Sequence, residues 1–265
     1  MRAVCFIALA LASCIPAGVA TAGGAPKAAG HNICGIGILA PSGKVLVLPS
    51  ASGGIETVAL HSGKALWESS AAAKPLLVTD DKVFAQAAVK GKKNQVKLVV
   101  LDAVTGERLA ESEVISFPEW ASVERDYGLS FRSAAHLEKG GLVYVWEARA
   151  FYEGGVPPPD FGPDGKPYKD PNAKEDYGAF RMNLSNGKLE AVRGYLPKDA
   201  EFTEMHPTSV GNTKRQNRVF RVEETGPDPA FPHTLTRRVL IVETLEGQRA
   251  WTRPIAGDIY LPPRP

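Results

Sequence analysis

After about residue 30 the chain alternates short runs of Val, Leu and Ile with turns rich in Gly, Asn and Asp. Apolar runs of about four to eight residues bounded by such turns are typical of β-strands. No segment after residue 25 keeps the 3.6-residue apolar period of an amphipathic helix for more than about two turns. The pattern therefore predicts an all-β protein.

One sequence pattern, a strand followed by a turn and a second strand, occurs four times. Its copies run from Thr57 to Trp67, Lys97 to Leu109, Phe180 to Leu189 and Val239 to Trp251. Each copy has a glycine at the turn, where a positive φ is needed, and these are Gly63, Gly106, Gly187 and Gly247. The first step between them, 43 residues, matches the period of a four-stranded propeller blade. The longer steps of 81 and 60 residues predict insertions.

The repeats predict four visible blades in a domain spanning residues 31–255, followed by a tail at 256–265. The predicted strands are Ile33–Leu39, Lys44–Pro49, Ile55–Leu60 and Ala65–Glu68; Pro75–Thr79, Lys82–Val89, Gln95–Asp102 and Arg108–Ser112; Leu129–His136, Leu142–Tyr152, Asp176–Met182 and Lys188–Val192; and Arg218–Glu223, Thr234–Glu243 and Gln248–Pro254. Three arrangements stay open: a small closed ring, an open partial ring, and a ring completed by a second chain. An open sheet exposes strand edges that favour pairing with another chain, so a homo-oligomer is one expectation.

Two features of this repeated pattern resemble the repeat of the quinoprotein-like (PQQ-like) β-propellers, whose blades end in A-x-D-x-x-T-G-x-x-x-W. These are the run Leu101 to Gly106 and the tryptophans Trp67 and Trp251, four residues after their glycines. The resemblance covers roughly residues 43 to 255 and implies that each tryptophan docks against a neighbouring blade. In the copy with the full D-x-x-T-G the tryptophan position is Ala110.

The first 25 residues predict export. Ala3 to Ala12 form a run of ten apolar residues after Met1-Arg2, too short to span a bilayer of about 30 Å. Two cleavage sites compete. Leu11 to Cys14 resembles a bacterial lipobox, with 1–13 removed and Cys14 lipidated, whereas Ala20-Thr21-Ala22 suits ordinary signal peptidase, with 1–22 removed. Both predict a periplasmic or extracellular protein, and the first predicts an outer-membrane lipoprotein.

The amino-acid composition limits the kinds of binding partner that we expect. Lys and Arg number 31 against 29 Asp and Glu, so the formal charge is +2 and nucleic acid is not an expected partner. A membrane is expected to be contacted only through a lipid on Cys14. With 44% hydrophobic residues the chain is globular in composition. Cys34 has no intramolecular disulfide partner once the leader is removed, and its apolar surroundings predict a buried strand.

The sequence predicts no catalytic residue, metal ligand or cofactor. It has no G-x-S-x-G, H-E-x-x-H or P-loop motif, and it lacks the Cys-Cys pair that many quinoprotein dehydrogenases of the resembling family use. An inserted loop at 154–177 is predicted to lie on the surface and to offer interaction residues, Asp160, Asp164, Tyr168 and Asp170. Asp160 and Asp164 match the first and fifth positions of a calcium loop, but Gly162 and Pro171 fail the third and twelfth.

The function predicted first is an exported or membrane-tethered binding or scaffold protein with a protein partner. It looks like the periplasmic PQQ-like lipoproteins that assist outer-membrane assembly. The alternative is a hydrolase or divalent-cation-dependent enzyme with its site on the 153–178 loop and the connector that contains Glu119 and Glu124. The sequence favours the first over an enzyme because no motif supports the second.

Overall fold

The computed structural model describes residues 30–33, 36–50, 54–124, 129–138, 141–150, 173–195, 212–228 and 231–255. All the regular secondary structure in these ranges is β-strand, and the strands form four antiparallel sheets. The predicted all-β, propeller-like class with four sheets is confirmed. The part of the chain described here holds no helix that could span a membrane.

The first two sheets have five strands each. Sheet 1 contains β1 (His31–Ile33), β2 (Gly37–Leu39), β3 (Val45–Pro49), β4 (Ile55–Ala59) and β5 (Ala65–Ser69), paired in that order. Sheet 2 contains β6 (Lys74–Val78), β7 (Lys82–Val89), β8 (Lys92–Asp102), β9 (Arg108–Glu111) and β10 (Ile115–Ser116), in which β9 and β10 both pair with β8.

The last two sheets have four strands each, also paired in chain order. Sheet 3 contains β11 (Leu129–Glu138), β12 (Gly141–Ala150), β13 (Lys174–Met182) and β14 (Leu189–Ala191). Sheet 4 contains β15 (Asn212–Arg215), β16 (Arg218–Asp228), β17 (Phe231–Thr244) and β18 (Arg249–Ile255).

Apolar side chains alternate between the two faces of each sheet, and both faces of sheets 1 and 2 are buried. In β3, Leu46 and Leu48 pack towards sheet 4, whereas Val47 packs towards sheet 2. Strands of this kind read as continuous apolar runs because neither face meets water. Full burial of one Leu or Val side chain contributes about 1.5–3 kcal/mol, so these interfaces dominate the stability of the fold.

The apolar clusters show the order in which the sheets pack. One cluster joins sheets 1 and 2, one joins sheets 2 and 3, and one joins sheets 4 and 1. The spatial order is therefore 4, 1, 2, 3. Among the described residues no apolar cluster joins sheet 3 to sheet 4, and the outward face of sheet 3 carries a small cluster of its own around Val143 and Val145.

Three predicted boundaries are wrong. The run Ile33–Leu39 is two strands, because the chain reverses where Ile36 N–H donates to Ile33 O at 2.9 Å and Ile33 pairs with Gly37. The predicted strands Arg218–Glu223 and Thr234–Glu243 are both longer, since β16 extends to Asp228 and β17 begins at Phe231. The predicted loop 154–177 ends earlier, because β13 begins at Lys174.

Candidate interaction surface

The four sheets have two unlike edges. Neighbouring strands run in opposite directions, so alternate turns of a sheet lie at the same end of its strands. The turns at Gly63 (between β4 and β5), Gly106 (β8 and β9), Gly187 (β13 and β14) and Gly247 (β17 and β18) form one side, here called the glycine edge. The opposite ends of the same strands form the hairpin edge. It carries the ends of the hairpins β7–β8, β12–β13 and β16–β17. All four glycines have positive φ, between 67° and 81°.

Trp67 and Trp251 each lie over the glycine turn of the neighbouring sheet. The Trp67 ring covers Gly106, and a Cβ built on that glycine would come within 2.6 Å of the ring. Trp251 covers Gly63 at the same distance. Each tryptophan follows a β-bulge in its pairing, between Thr57 and Val58 in sheet 1 and between Val242 and Glu243 in sheet 4. The bulge shifts the pairing by one residue, so the indole faces the neighbouring sheet.

A hydrogen bond fixes each ring. Trp67 Nε1–H donates to the carbonyl of Ala103 at 3.1 Å, and Trp251 Nε1–H donates to the carbonyl of Leu60 at 2.6 Å. The buried indole therefore satisfies its only polar group at the same contact. Sheet 1 therefore contacts the glycine turn of sheet 2 through Trp67, and sheet 4 contacts that of sheet 1 through Trp251.

Sheet 2 reaches sheet 3 through its backbone. The carbonyl of Glu111 lies against Gly187, so close that no Cβ fits there. Glu113 N–H donates to the Gly187 carbonyl at 3.1 Å, and the Glu113 carboxylate accepts from Leu189 N–H at 3.2 Å. A small residue, Ala110, takes the place of the tryptophan in this copy of the repeat and leaves room for the closer backbone approach.

A buried polar network also joins sheets 2 and 3. Tyr144 Oη–H donates to Gln86 Oε1 at 2.9 Å, and the Ser133 hydroxyl donates to the same oxygen at 3.1 Å. Lys74 Nζ donates to Ser133 Oγ at 3.1 Å. Burial raises the pKa of the Tyr144 phenol far above its ordinary range, so it stays a neutral donor. These groups satisfy one another, which suits a structural role in the interface.

The fourth glycine turn differs from the other three. A Cβ built on Gly247 would meet no atom of the described residues within 4 Å. The outermost strand of sheet 3, β14, pairs with β13 without the bulge seen in the other three sheets, so Ala191 lies opposite Phe180 on the face towards sheet 2. Glu190, opposite Arg181, takes the outward position instead. Sheets 3 and 4 thus end the arc in the part of the chain that the structure describes.

The outward face of sheet 3 carries a cross-strand ion network centred on Glu147, whose side chain is 1% exposed. Arg132 Nε donates to one carboxylate oxygen at 3.0 Å, and Arg149 Nη2 lies 2.5 Å from the other and 3.1 Å from Glu175. Burial by itself would raise the pKa of Glu147, but Arg132 and Arg149 hold it below its ordinary value. The carboxylate is therefore ionised at neutral pH.

The outward face of sheet 4 has the opposite arrangement, with one arginine between two carboxylates. Arg221 lies 3.2 Å from Glu223 and 2.9 Å from Glu243. Both ends of the arc thus combine apolar residues with paired charges. Sequence reasoning missed these residues because each network includes a partner on another strand, as Arg132 is for Glu147 and Glu243 is for Arg221.

At the hairpin edge, β13 extends beyond its outer neighbour. Strand β14 pairs with β13 only from Phe180 to Met182, while β13 itself begins at Lys174. Near its start the Asp176 carboxylate accepts from the backbone N–H of Tyr177 at 2.8 Å. A side chain that occupies a backbone donor, with exposed charges around it, is one way in which edge strands avoid uncontrolled pairing.

Several predicted site residues lie outside the described residues. These are the lipidation candidate Cys14 and the loop residues Asp160, Asp164, Tyr168 and Asp170. Within the described ranges no group of three or more His, Cys, Asp or Glu side chains is arranged to hold a metal ion.

No family model matches the chain, and no curated protein matches it significantly. Among solved structures the chain is similar to BamB from Moraxella catarrhalis, with 12% identity over 81% of this chain and 62% of that one, at a TM-score of 0.33. It is also similar to a europium-containing methanol dehydrogenase, with 13% identity over 80% and 60% of the two chains and a TM-score of 0.25. The chain thus spans less than two thirds of the length of either.

A third similar structure is the computationally designed Ika8 protein, with 13% identity over 84% of this chain and 88% of that one, at a TM-score of 0.16. At such identities and TM-scores none of the three similarities indicates an activity or a partner.

Proposed function

We propose that this chain is an exported or membrane-tethered scaffold protein of propeller type that binds a protein partner at its hairpin edge. The observation that carries the proposal is the lengthening of the hairpins on that edge. In sheet 1 the strands β3 and β4 have five residues each, whereas β12 and β13 have ten and nine, and β16 and β17 have eleven and fourteen. The chain from 151 to 172 leaves and re-enters at this same edge.

Rigid sheets that carry long hairpins on one edge suit a binding role. The packed interfaces hold the hairpins in place, and loops on such a framework are where recognition residues concentrate. Strand β13 adds a second mode, because an extended peptide can pair with an edge strand through backbone hydrogen bonds. The Asp176 contact to Tyr177 N–H would have to open for a peptide to bind there.

The proposal also includes where the protein is located in the cell and which family it belongs to. The apolar leader supports export, and a lipid on Cys14 would place the sheets beside a membrane without embedding them. The docked tryptophans Trp67 and Trp251 support placing the chain with the quinoprotein-like propellers as a member without a quinone. Mass spectrometry of the exported protein tests the anchor: an acylated Cys14 supports it, and an unmodified N-terminus at Gly23 rejects it.

Site-specific photo-crosslinking in the living cell tests the binding edge. A photoreactive amino acid at Tyr177, on the hairpin edge, is compared with one at Val104, which is 71% exposed on the glycine edge. We expect a discrete adduct of higher mass from Tyr177 and none from Val104. The adduct should disappear when Pro157–Ala173 is deleted. Equal adducts at both sites, or none at Tyr177, would contradict the proposal.

The enzymatic alternative on the 153–178 loop predicts a different result. A loop enzyme that depends on a divalent cation should release heat when calcium, magnesium or zinc is titrated into the purified protein. The scaffold proposal expects no such heat, because the sequence of the loop lacks two of the calcium-loop positions.

A further inference from the structure

Each sheet has a donor strand and an acceptor turn. The donor is its outermost strand, and the acceptor is its glycine turn on the glycine edge. Three donors are used within the chain: β18 reaches the Gly63 turn, β5 reaches the Gly106 turn and β9 reaches the Gly187 turn. Among the described residues, one donor, β14, and one acceptor, the Gly247 turn, have no counterpart.

The two leftover parts lie at opposite ends of the arc, since the sheet order is 4, 1, 2, 3. A closed ring of four sheets would place β14 on the Gly247 turn of the same chain. No atom of β14 lies within 4 Å of a Cβ built on Gly247, so this contact is not made within the described chain. A partner that supplies one donor and one acceptor would satisfy both ends, and a second copy of the chain supplies this pair.

The chemistry of the two terminal faces agrees with such a contact. Glu190 is exposed on the outward face of sheet 3, and Lys214 and Arg249 are exposed on the outward face of sheet 4. Each face also carries charges of the other sign, Arg149 and Arg181 on sheet 3 and Glu223 and Glu243 on sheet 4, so both faces offer partners for ion pairs. The chain already joins two sheets by such a pair, in which Arg253 of sheet 4 contacts Glu56 of sheet 1.

We infer that two copies of this chain close one ring of eight sheets, with β14 of each copy on the Gly247 turn of the other. The inference rests on the proposed propeller-type scaffold and names its partner at the ends of the arc. A twofold axis would relate two identical head-to-tail contacts, so no donor or acceptor would remain exposed. Because Ala191 faces sheet 2, the outward residues Glu190 of β14 and Val192 directly after it would lie towards the Gly247 turn of the other copy, with no tryptophan at the contact.

Cysteine cross-linking of the exported protein tests the contact, in a background where Cys14→Ser and Cys34→Ser leave only the introduced thiols. Val192 stands five residues after Gly187, as Glu111 stands five after Gly106, so Val192→Cys is placed opposite Gln248→Cys. The matched control replaces Gln248→Cys with Glu107→Cys, which follows the Gly106 turn already covered by Trp67. Native mass spectrometry gives the assembly state of the unmodified protein.

We expect a mass of two chains and an oxidised dimer for Val192→Cys with Gln248→Cys, sensitive to reductant and absent in the control. A monomer mass with no cross-link, a disulfide within one chain, or a ladder of open oligomers would each overturn the inference. Deletion of Pro157–Ala173 should leave the dimer intact. A monomer that still forms the Tyr177 adduct would reject the ring and leave the proposed function supported. A dimer that forms no adduct would support the ring and contradict the proposed function.

Discussion

Trp251 lies over Gly63 from the opposite end of the chain and donates its indole N–H to the carbonyl of Leu60 at 2.6 Å. This contact brings the last sheet beside the first. Its side chain is 8% exposed, although it belongs to the outermost strand of its sheet. The indole thus adds to the apolar cluster and to the Arg253–Glu56 pair that hold sheet 4 against sheet 1.

Replacing this indole should destabilise the fold strongly. We expect Trp251→Ala to lower the free energy of unfolding by about 3–5 kcal/mol, because it removes a buried aromatic ring and leaves a cavity between two sheets. Trp251→Phe should cost about 1–3 kcal/mol, since the Leu60 carbonyl loses its donor. Urea unfolding measures both. Trp67→Ala should behave like Trp251→Ala. Trp120 lies in the connector after β10 and covers none of the four glycine turns, so Trp120→Ala should cost less, and an equal loss there would contradict a special role for the docked rings.

Glycine substitutions separate the docking contact from backbone strain. Alanine at Gly63, Gly106 or Gly91 meets a similar positive φ, which costs about 1–2 kcal/mol for an L residue. At Gly63 and Gly106 the added Cβ would also lie 2.6 Å from an indole, whereas at Gly91 it would meet nothing within 4 Å. We expect Gly63→Ala and Gly106→Ala to cost about 1–3 kcal/mol more than Gly91→Ala in urea unfolding. Equal losses at all three would show that the indoles yield freely.

The glycine turns were predictable because their signal is local. Gly63, Gly106, Gly187 and Gly247 all sit in the turns that the repeat placed there, since a positive φ constrains one position in the sequence. The β1–β2 hairpin was not predictable in the same way. Ile33, Ile36 and Leu39 all enter one apolar cluster, and an unbroken apolar run does not show where the chain reverses.

Short polar strands and contacts between distant residues could not be predicted from the sequence, for other reasons. Strand β15, Asn212–Arg215, has no apolar alternation, and its turn uses Gln216 and Asn217 with positive φ in place of glycine. The ion network of Glu147 depends on Arg132, on a different strand, and nothing in the spacing indicates that pairing. Neither does the repeat show that sheet 4 packs against sheet 1.

The Glu147 network predicts a loss of stability in acid. Its pKa in the folded protein is below the ordinary 4.5, so the folded state binds fewer protons than the unfolded chain near that pH. The contribution is fully present above the ordinary pKa and is lost as the pH falls through the lowered folded-state pKa. Glu147→Gln should therefore be less stable than the unmodified protein at pH 7, and the gap should shrink below about pH 4.5.

Urea midpoints measured from pH 7 to pH 3 test this difference. At pH 7 we expect Glu147→Gln to cost about 1–3 kcal/mol, a value below that of a fully buried pair because Arg132 and Arg149 are about one third and two fifths exposed. Glu138→Gln is the control, because Glu138 is paired with Arg181 but 42% exposed. A gap for Glu147→Gln that stays constant down to pH 3 would contradict the network.

The pair between Arg253 and Glu56 gives an independent test of the contact between the last and first sheets. Arg253 Nε donates to Glu56 at 2.7 Å, and the Glu56 residue is 8% exposed. A double-mutant cycle with Arg253→Met and Glu56→Gln should show a coupling of about 1–3 kcal/mol. The same cycle at Arg108 and Glu111, an exposed pair within β9, should give about 0.5 kcal/mol or less. Similar couplings at both places would mean that the contact between the sheets adds nothing.

Deletion of the inserted loop should leave the fold intact. Strands β12 and β13 pair from Leu142 with Met182 to Ala150 with Lys174, so their hairpin is complete before the inserted segment begins. The entropy of closing a loop rises only by about 0.6 kcal/mol per doubling of its length, so a short Gly-rich turn in place of Pro157–Ala173 should not raise that cost. We expect the thermal midpoint to stay within a few degrees of the unmodified protein, as measured by circular dichroism. A loss of folding would show that the segment packs against the sheets, and its removal would then no longer separate stability from binding.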